Sequence, residues 1–271
     1  MDMKQRTVNL LEKMRATSPL IHNITNFVVM NSTANILLAA GASPVMAHCM
    51  GEVEEMASMA NALILNIGTL QEDWVDAMIL AAKTANGKNI PVILDPVGSG
   101  ATSLRTRAVK KIMKEVNISV LRGNASEIFS LAADDVHTRG VDSSLNISDE
   151  IIDSARHLAT ELNCIIAISG AEDIITSGQK TFRVKNGQPL MTRVTGIGCG
   201  LSAIVGAFCA VCDDQDLLFA TAAAFGFYGL CGDLAIKISD KPGSFFTAFV
   251  DALYDVRDGD IQQGLKVVEG K

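Results

Sequence analysis

The chain is poor in charge and in aromatics: 20% of its 271 residues are Asp, Glu, Lys or Arg, 5% are Phe, Trp or Tyr, and there is a single tryptophan. No stretch gathers Lys and Arg, and the formal charge is −7 at pH 7. Those two facts argue against a nucleic-acid groove and against a polybasic membrane anchor, because neither can form without clustered cations. A small-molecule partner is the better expectation. Six scattered prolines and the lack of any repeat or low-complexity block leave no linker, so residues 1–271 read as one domain. The opening MDMKQRTVNLLEKMR lacks the apolar core of a secretory signal, and Asp2 and Glu12 do not suit a transit peptide. It reads as an amphipathic helix of a cytoplasmic protein. In that compartment Cys49, Cys164, Cys199, Cys209, Cys212 and Cys231 are expected as free thiols, and five Asn-x-Ser/Thr triplets are chance matches. Cys209-Ala-Val-Cys212 has a spacing used by metal and redox sites, but without a second pair it reads as two small core side chains.

What is abundant is apolar residue, at 48%. Residues 16–51 contain no acid or base, and two further uncharged runs, 194–212 and 217–232, are parted only by Asp213, Asp214, Gln215 and Asp216. A membrane span needs about 20 predominantly apolar residues. The first run is interrupted by His22, Asn23, Asn26, Asn31, Asn35 and His48, and the second opens with Gly196, Gly198 and Gly200. Both are therefore expected to be buried or ligand-lining segments of a protein that does not cross a membrane.

Short β-branched runs alternate with longer helical patterns. Strands are expected at 62–66, 90–94, 118–121 and 164–168, with helices at 71–85, 104–116 and 149–162 between them, the rhythm of a parallel sheet. Strands this apolar are covered on both faces. A hairpin is expected from 173–176 and 180–184, then helices at 199–212, 217–238 and 244–257, the last with Ser244 as its N-cap. The fold class is α/β, a mostly parallel central sheet between two helical layers.

Ligands of such sheets bind beyond the carboxyl ends of the strands. There the sequence offers Asn66-Ile-Gly68-Thr69, Asp95-Pro-Val-Gly-Ser-Gly100, Arg122-Gly-Asn-Ala-Ser-Glu127 and Ser169-Gly170. Asp95 and Glu127 are suited to holding Mg²⁺, directly or through water, against phosphate oxygens, and Arg122 offers a planar fork of donors to the same oxygens. Thr195-Gly-Ile-Gly-Cys-Gly200 is a glycine-rich turn running into an apolar helix, which predicts a site for phosphate or developing negative charge. The Lys-Ser/Thr of a Walker loop is absent. Packing of helices through glycine is the competing explanation.

Together, the Asp-Pro-Val-Gly, Arg-Gly-Asn-x-x-Glu and Gly-Ile-Gly-Cys motifs resemble those of the hydroxyethylthiazole kinases, a branch of the ribokinase-like group. The resemblance extends through Pro19-Leu-Ile-His-Asn-Ile-Thr-Asn26, Val28-Val-Met-Asn31, Gly41-Ala-Ser-Pro-Val-Met46 and Pro242-Gly-Ser-Phe-Phe246, nearly the whole chain. It implies a ribokinase-like three-layer sandwich that phosphorylates 4-methyl-5-(2-hydroxyethyl)thiazole with ATP and Mg²⁺ for thiamine synthesis or salvage. It also implies a homotrimer with active sites between subunits. Arg122, Ser169 and Gly198 would then meet ATP, Asp95 and Glu127 would organise Mg²⁺, and Met46, Gly196, Asn26 and Val28 would meet the thiazole. The family commonly has Thr where this chain has Ser169, so the hydroxyl is kept. Cys199 stands where the wider group has an aspartate base. A helix N-terminus is expected to lower its pKa, yet its main role is taken to be positioning the hydroxyl. His22 and His48 read as structural first and as pocket-facing second. The alternatives are a related kinase for another heteroaromatic alcohol, a nucleotide-binding regulator without turnover, and an NAD-dependent dehydrogenase.

Overall fold

The protein is described by a computed structural model over residues 2–131, 149–213 and 216–270; Asp214 and Gln215 of the polar break between the uncharged runs lie outside the described residues. The elements in chain order are α1 (Met3–Thr17), β1 (Leu20–Ile24), α2 (Met30–Ala40), β2 (Ser43–Val45), α3 (Val53–Met59), β3 (Ala62–Asn66), α4 (Glu72–Gly87), β4 (Val92–Asp95) and α5 (Ser103–Glu115). They continue with β5 (Val120–Asn124), α6 (Ala125–Phe129), α7 (Asp149–Leu162), β6 (Ile165–Ser169), β7 (Asp173–Thr176) and β8 (Thr181–Val184). A 3₁₀ turn (Pro189–Arg193), α8 (Ile197–Ala210), α9 (Leu217–Ala235), α10 (Pro242–Asp255), α11 (Asp258–Gly264) and β9 (Val267–Gly270) complete the described chain.

One sheet of nine strands runs β2-β1-β3-β4-β5-β6-β7-β8-β9, parallel through β6 and antiparallel after it. Strand alternation splits the core into two layers, because successive side chains point to opposite faces. Ile64 faces α8 and α9, while Leu63 and Leu65 face the layer of α4 and α5. All five residues of β3 are buried, so both faces are covered as expected. The order turns back at one place: from β1 the chain steps outward to β2, then returns past β1 to lay down β3 on its other side. The crevice at the carboxyl ends of β1 and β3 is the switch point where such sheets bind ligands.

Several expectations change. Ala62–Asn66 is the third strand, since the uncharged 16–51 run folds into β1, α2 and β2. The polar residues within β1 are accommodated locally: His22 Nε2 lies 2.7 Å from the Ala47 carbonyl, and Asn23 Nδ2 donates to Ile21 O. β5 extends to Asn124, so Arg122 and Asn124 are strand residues, paired across to Ala167 and Ser169 of β6. α10 begins two residues before Ser244. Pro242 takes the first turn, where its missing N–H costs nothing, and Lys241 is the N-cap. Cys212 falls just beyond α8, while Cys209 is buried inside it, and none of the six cysteines is in a disulfide.

α9 is the one helix among the described residues long and apolar enough to cross a membrane, but it is largely buried between α8, α10 and the sheet. α8 lies directly on β3 and β4 because Gly206 offers no side chain: a Cβ there would run into Ile64 Cδ1. Gly206→Val is expected to destabilise the fold by about 1–3 kcal/mol through overpacking, measured by urea unfolding of the variant against the parent.

Candidate active site

The carboxyl rim of the sheet concentrates buried polar groups in an otherwise apolar molecule. Asn66 and Asp95 end β3 and β4 side by side in register, each 1% exposed. Asn66 Nδ2 donates to Asp95 Oδ2 at 2.9 Å, and Ser202 Oγ of α8 donates to the same oxygen at 2.7 Å. Across the switch point, Asn26 Nδ2 donates to Asn66 Oδ1 at 2.9 Å and approaches Cys199 Sγ at 3.5 Å. Arg122 lies 3.7 Å from Asp95 Oδ2. Burial raises the Asp95 carboxyl to about 6, with Arg122 and Ser202 pulling the other way.

α8 delivers its N-terminus to this cluster. Gly196 is the N-cap in a left-handed conformation with φ +90°, a geometry that favours glycine. The N–H groups of Ile197, Gly198 and Cys199 fall in the first turn, where a helix supplies no internal acceptor, and they form the positive end of the dipole. Gly200 answers to packing instead: a Cβ there would come within 2.5 Å of Ile36 Cδ1 and 2.7 Å of the Tyr228 hydroxyl, which donates to Ile197 O. The glycine turn therefore serves both the anion-site and the packing explanations, at different positions.

The Cys199 thiol is held above its usual range by burial and by the nearby Asp95, although Arg122 and the amide of Asn26 act against this. This reverses the expectation of a pKa lowered by the helix end: desolvation and a facing carboxylate outweigh the dipole. Cys199 is a neutral thiol at pH 7.

Beside the cluster is a cavity of about 460 Å³ lined by Arg122, Ser169, Asp173, Gln188, Gly198 and Phe225, among others. Arg122, nine-tenths buried, donates to Gly198 O at 3.0 Å and to Ser169 Oγ at 2.6 Å. Its buried Nε–H has no acceptor among the described residues. Glu127 lies within the short α6 and accepts from Gly98 N with one oxygen and from Asn124 N with the other, both at 2.9 Å. It thereby ties the Asp95–Gly100 loop to the end of β5.

Residues 11–259 match the hydroxyethylthiazole kinase family. The chain is 52% identical to the hydroxyethylthiazole kinase of Desulfotalea psychrophila over 259 residues, 96% of this chain and 94% of that one. The chain belongs to the hydroxyethylthiazole kinase family. A solved hydroxyethylthiazole kinase from Pyrococcus horikoshii superposes with a TM-score of 0.89 at 40% identity, covering 98% of this chain and all of that one. A ribokinase-like protein from Enterococcus faecalis shares the fold, with a TM-score of 0.64 at 13% identity over 88% of this chain and 87% of that one. The architecture is the ribokinase-like sandwich.

Among the residues expected to serve a hydroxyethylthiazole kinase, Arg122, Ser169 and Gly198 line this cavity, and Asp95, Cys199 and Asn26 form the adjoining cluster. Gly196 packs on the start of α2, where its Cβ would meet Ser32 Oγ and Val29 Cγ1. Val28 is 63% exposed, and Met46 lies one residue past the edge strand β2, so both stand at the outer end of the rim without polar contact to Cys199. His22 is buried and structural; His48 packs against Trp74 with the rings tilted by 39° and 4.3 Å between centroids. Sequence reasoning missed Ser202, Asp173 and the 186–188 loop, and it placed Asn66 in a rim segment without giving it a role. Asn66 had a readable signal, a polar residue closing an apolar strand next to one that closes in Asp95. Ser202 had none beyond its place one turn from Cys199.

Asp173 accepts from Gly170 N at 2.9 Å in the cavity wall, and burial raises its carboxyl to about 7. Between the ordinary 3.8 and about 7 the unfolded chain has lost the proton that the fold keeps, so stability falls with pH across that window and the full cost stands above about 7. Asp173→Asn should therefore raise Tm by more at pH 8.5 than at pH 5, where only part of the cost is present. An equal shift at both pH values in thermal melts would remove this account.

Proposed function

We propose that the protein transfers the γ-phosphoryl group of ATP to the primary hydroxyl of 4-methyl-5-(2-hydroxyethyl)thiazole, giving the thiazole phosphate used in thiamine biosynthesis or salvage. Beyond family membership, the observation that carries this reading is the cavity opening beside the first turn of α8. Arg122, with a buried N–H left without an acceptor, and three free helical N–H groups converge there on a place for an anion. ATP would lie along Arg122, Ser169 and Gly198 with its terminal phosphate at α8. The alcohol would lie on the far side, at Asn26, Val28, Met46 and Gly196, its hydroxyl against Cys199.

The residues fit Mg²⁺ held partly through water and phosphate rather than in a closed protein cage. No cluster of three or more His, Cys, Asp or Glu is present among the described residues, and Mg²⁺ commonly uses one or two carboxylates plus phosphates and water. Both hydrogen bonds to Asp95 end on Oδ2, and each Glu127 oxygen carries only one. Asp95 and Glu127 thus keep lone pairs for the ion, which when bound would neutralise charge on the phosphates.

Phosphoryl transfer passes through a loose transition state, so orientation and charge neutralisation carry most of the rate. The neutral Cys199 thiol orients the hydroxyl, with Asn26 fixing the sulfur, and the α8 N–H groups meet the transferring phosphoryl oxygens. The proton leaves late and needs no strong base. Phe27, Val28, Leu38 and Met50, between 48% and 63% exposed, give an apolar surface beside the alcohol site that suits contact with further copies in a trimer. Six cysteines without a disulfide among them suit the cytoplasm.

ADP release with Mg-ATP should depend on the thiazole alcohol and not on pyrimidine or pyridoxal alcohols. Silence with the thiazole would overturn the reading. Cys199→Asp should keep turnover, since a stronger base replaces a positioning group, and general-base gains are about 10²–10⁴-fold at most. A variant that binds both substrates yet turns over at the uncatalysed rate would contradict the positioning role.

A further inference from the structure

The wall of the cavity opposite Arg122 and Ser169 is the loop Asn186-Gly-Gln188 that follows β8. This loop has little secondary structure of its own, and Gly187 sits at φ +119°. What ties all three of its residues to α9 is a single carboxylate. Asp233 Oδ1 accepts from Gln188 Nε2 at 2.7 Å and from Gly187 N at 3.2 Å, and Oδ2 accepts from Asn186 Nδ2 at 2.9 Å. Lys266 Nζ stands 3.4 Å from Oδ2, and the Asp233 side chain is 13% exposed. Asn186 extends the anchor, donating also to Gly264 O and accepting from Lys266 N. α9 is shaped to receive the loop: a Cβ at Gly229 would stand 2.6 Å from the Asn186 carbonyl, and one at Gly232 would stand 2.5 Å from Met191 Sδ.

We propose that Asp233, which does not line the cavity, is the positioning residue that sets ATP affinity by holding Asn186, Gly187 and Gln188 as the nucleotide-facing wall. This rests on the cavity taking the nucleotide. Every neighbour the carboxylate meets is a donor, three of them from one loop. An amide in its place turns an N–H₂ toward donors whichever way it flips, and the loop loses its fixed position. The reacting end is untouched, because Asp95, Asn66 and Cys199 belong to other elements and share no hydrogen bond with Asp233. Its effect should therefore fall on ATP binding and not on the alcohol or on the chemical step.

The test is steady-state kinetics of the full-length protein. Asp233→Asn should raise KM for ATP about tenfold or more, the scale of a lost hydrogen bond to a charged group, while KM for the alcohol and kcat at saturating ATP stay within about twofold. Asp233→Glu keeps the charge, is the gentler change for folding, and should give an intermediate rise. Leu201→Trp fills the cavity itself and should abolish ATP saturation. Loss in Leu201→Trp, with ATP KM unchanged in either Asp233 variant, overturns the inference and leaves the nucleotide site standing. Both KM values rising together with a fall in kcat also overturns it, as the mark of general unfolding. Unchanged ATP KM in Leu201→Trp removes the nucleotide from this cavity, and the inference falls with it.

Discussion

The buried carboxylate of Asp95 is the constraint around which the rest of this structure is arranged. A charge taken out of water is costly unless donors surround it, and here they come from four directions. β3 contributes Asn66, α8 contributes Ser202, β5 contributes Arg122, and β1 enters at one remove through Asn26. Each donor reaches Asp95 only if its element is docked in register. The same contacts that make the acid tolerable bring the glycine turn, Cys199 and the switch-point crevice to one place.

Much of this was readable from the residues, for a physical reason. β3, β4, β6 and the β7–β8 hairpin are apolar, β-branched and bounded by turns, so their local pattern and tertiary fate agree. The first two strands were hidden because His22 and Asn23 break the apolar pattern of β1, and β2 is three residues long. One nitrogen of each is met by the carbonyls of Ala47 and Ile21, contacts no periodicity announces. At the site, the acids and the glycine turn were visible as residue types in rim segments. The 186–188 loop was not, since its meaning comes from Asp233 on a helix 45 residues away along the chain. The thiol of Cys199 shows the limit most sharply, because the local helix end suggested one sign and the buried surroundings gave the other.

The low charge of the chain also takes on a specific sense. With few cations to offer, the site relies on directed groups: one arginine held at two points, helical N–H groups and two acids that suit a divalent ion. A field from a lysine cluster would attract any polyanion, whereas oriented donors in a shaped cavity discriminate by geometry. The uncharged runs that raised the question of a membrane are used in the same economical way, one forming β1, α2 and β2 beside the site, the others forming α8 and α9 beneath it.

The hydrogen bond between Asn26 and Cys199 joins residues 173 positions apart, and that between Asp95 and Ser202 spans 107. A chain emerging from the ribosome has β1, β3 and β4 long before α8 exists to meet them. The candidate site is consequently among the last features to be assembled, and a product ending before α8 lacks the glycine turn, Cys199 and Ser202 altogether.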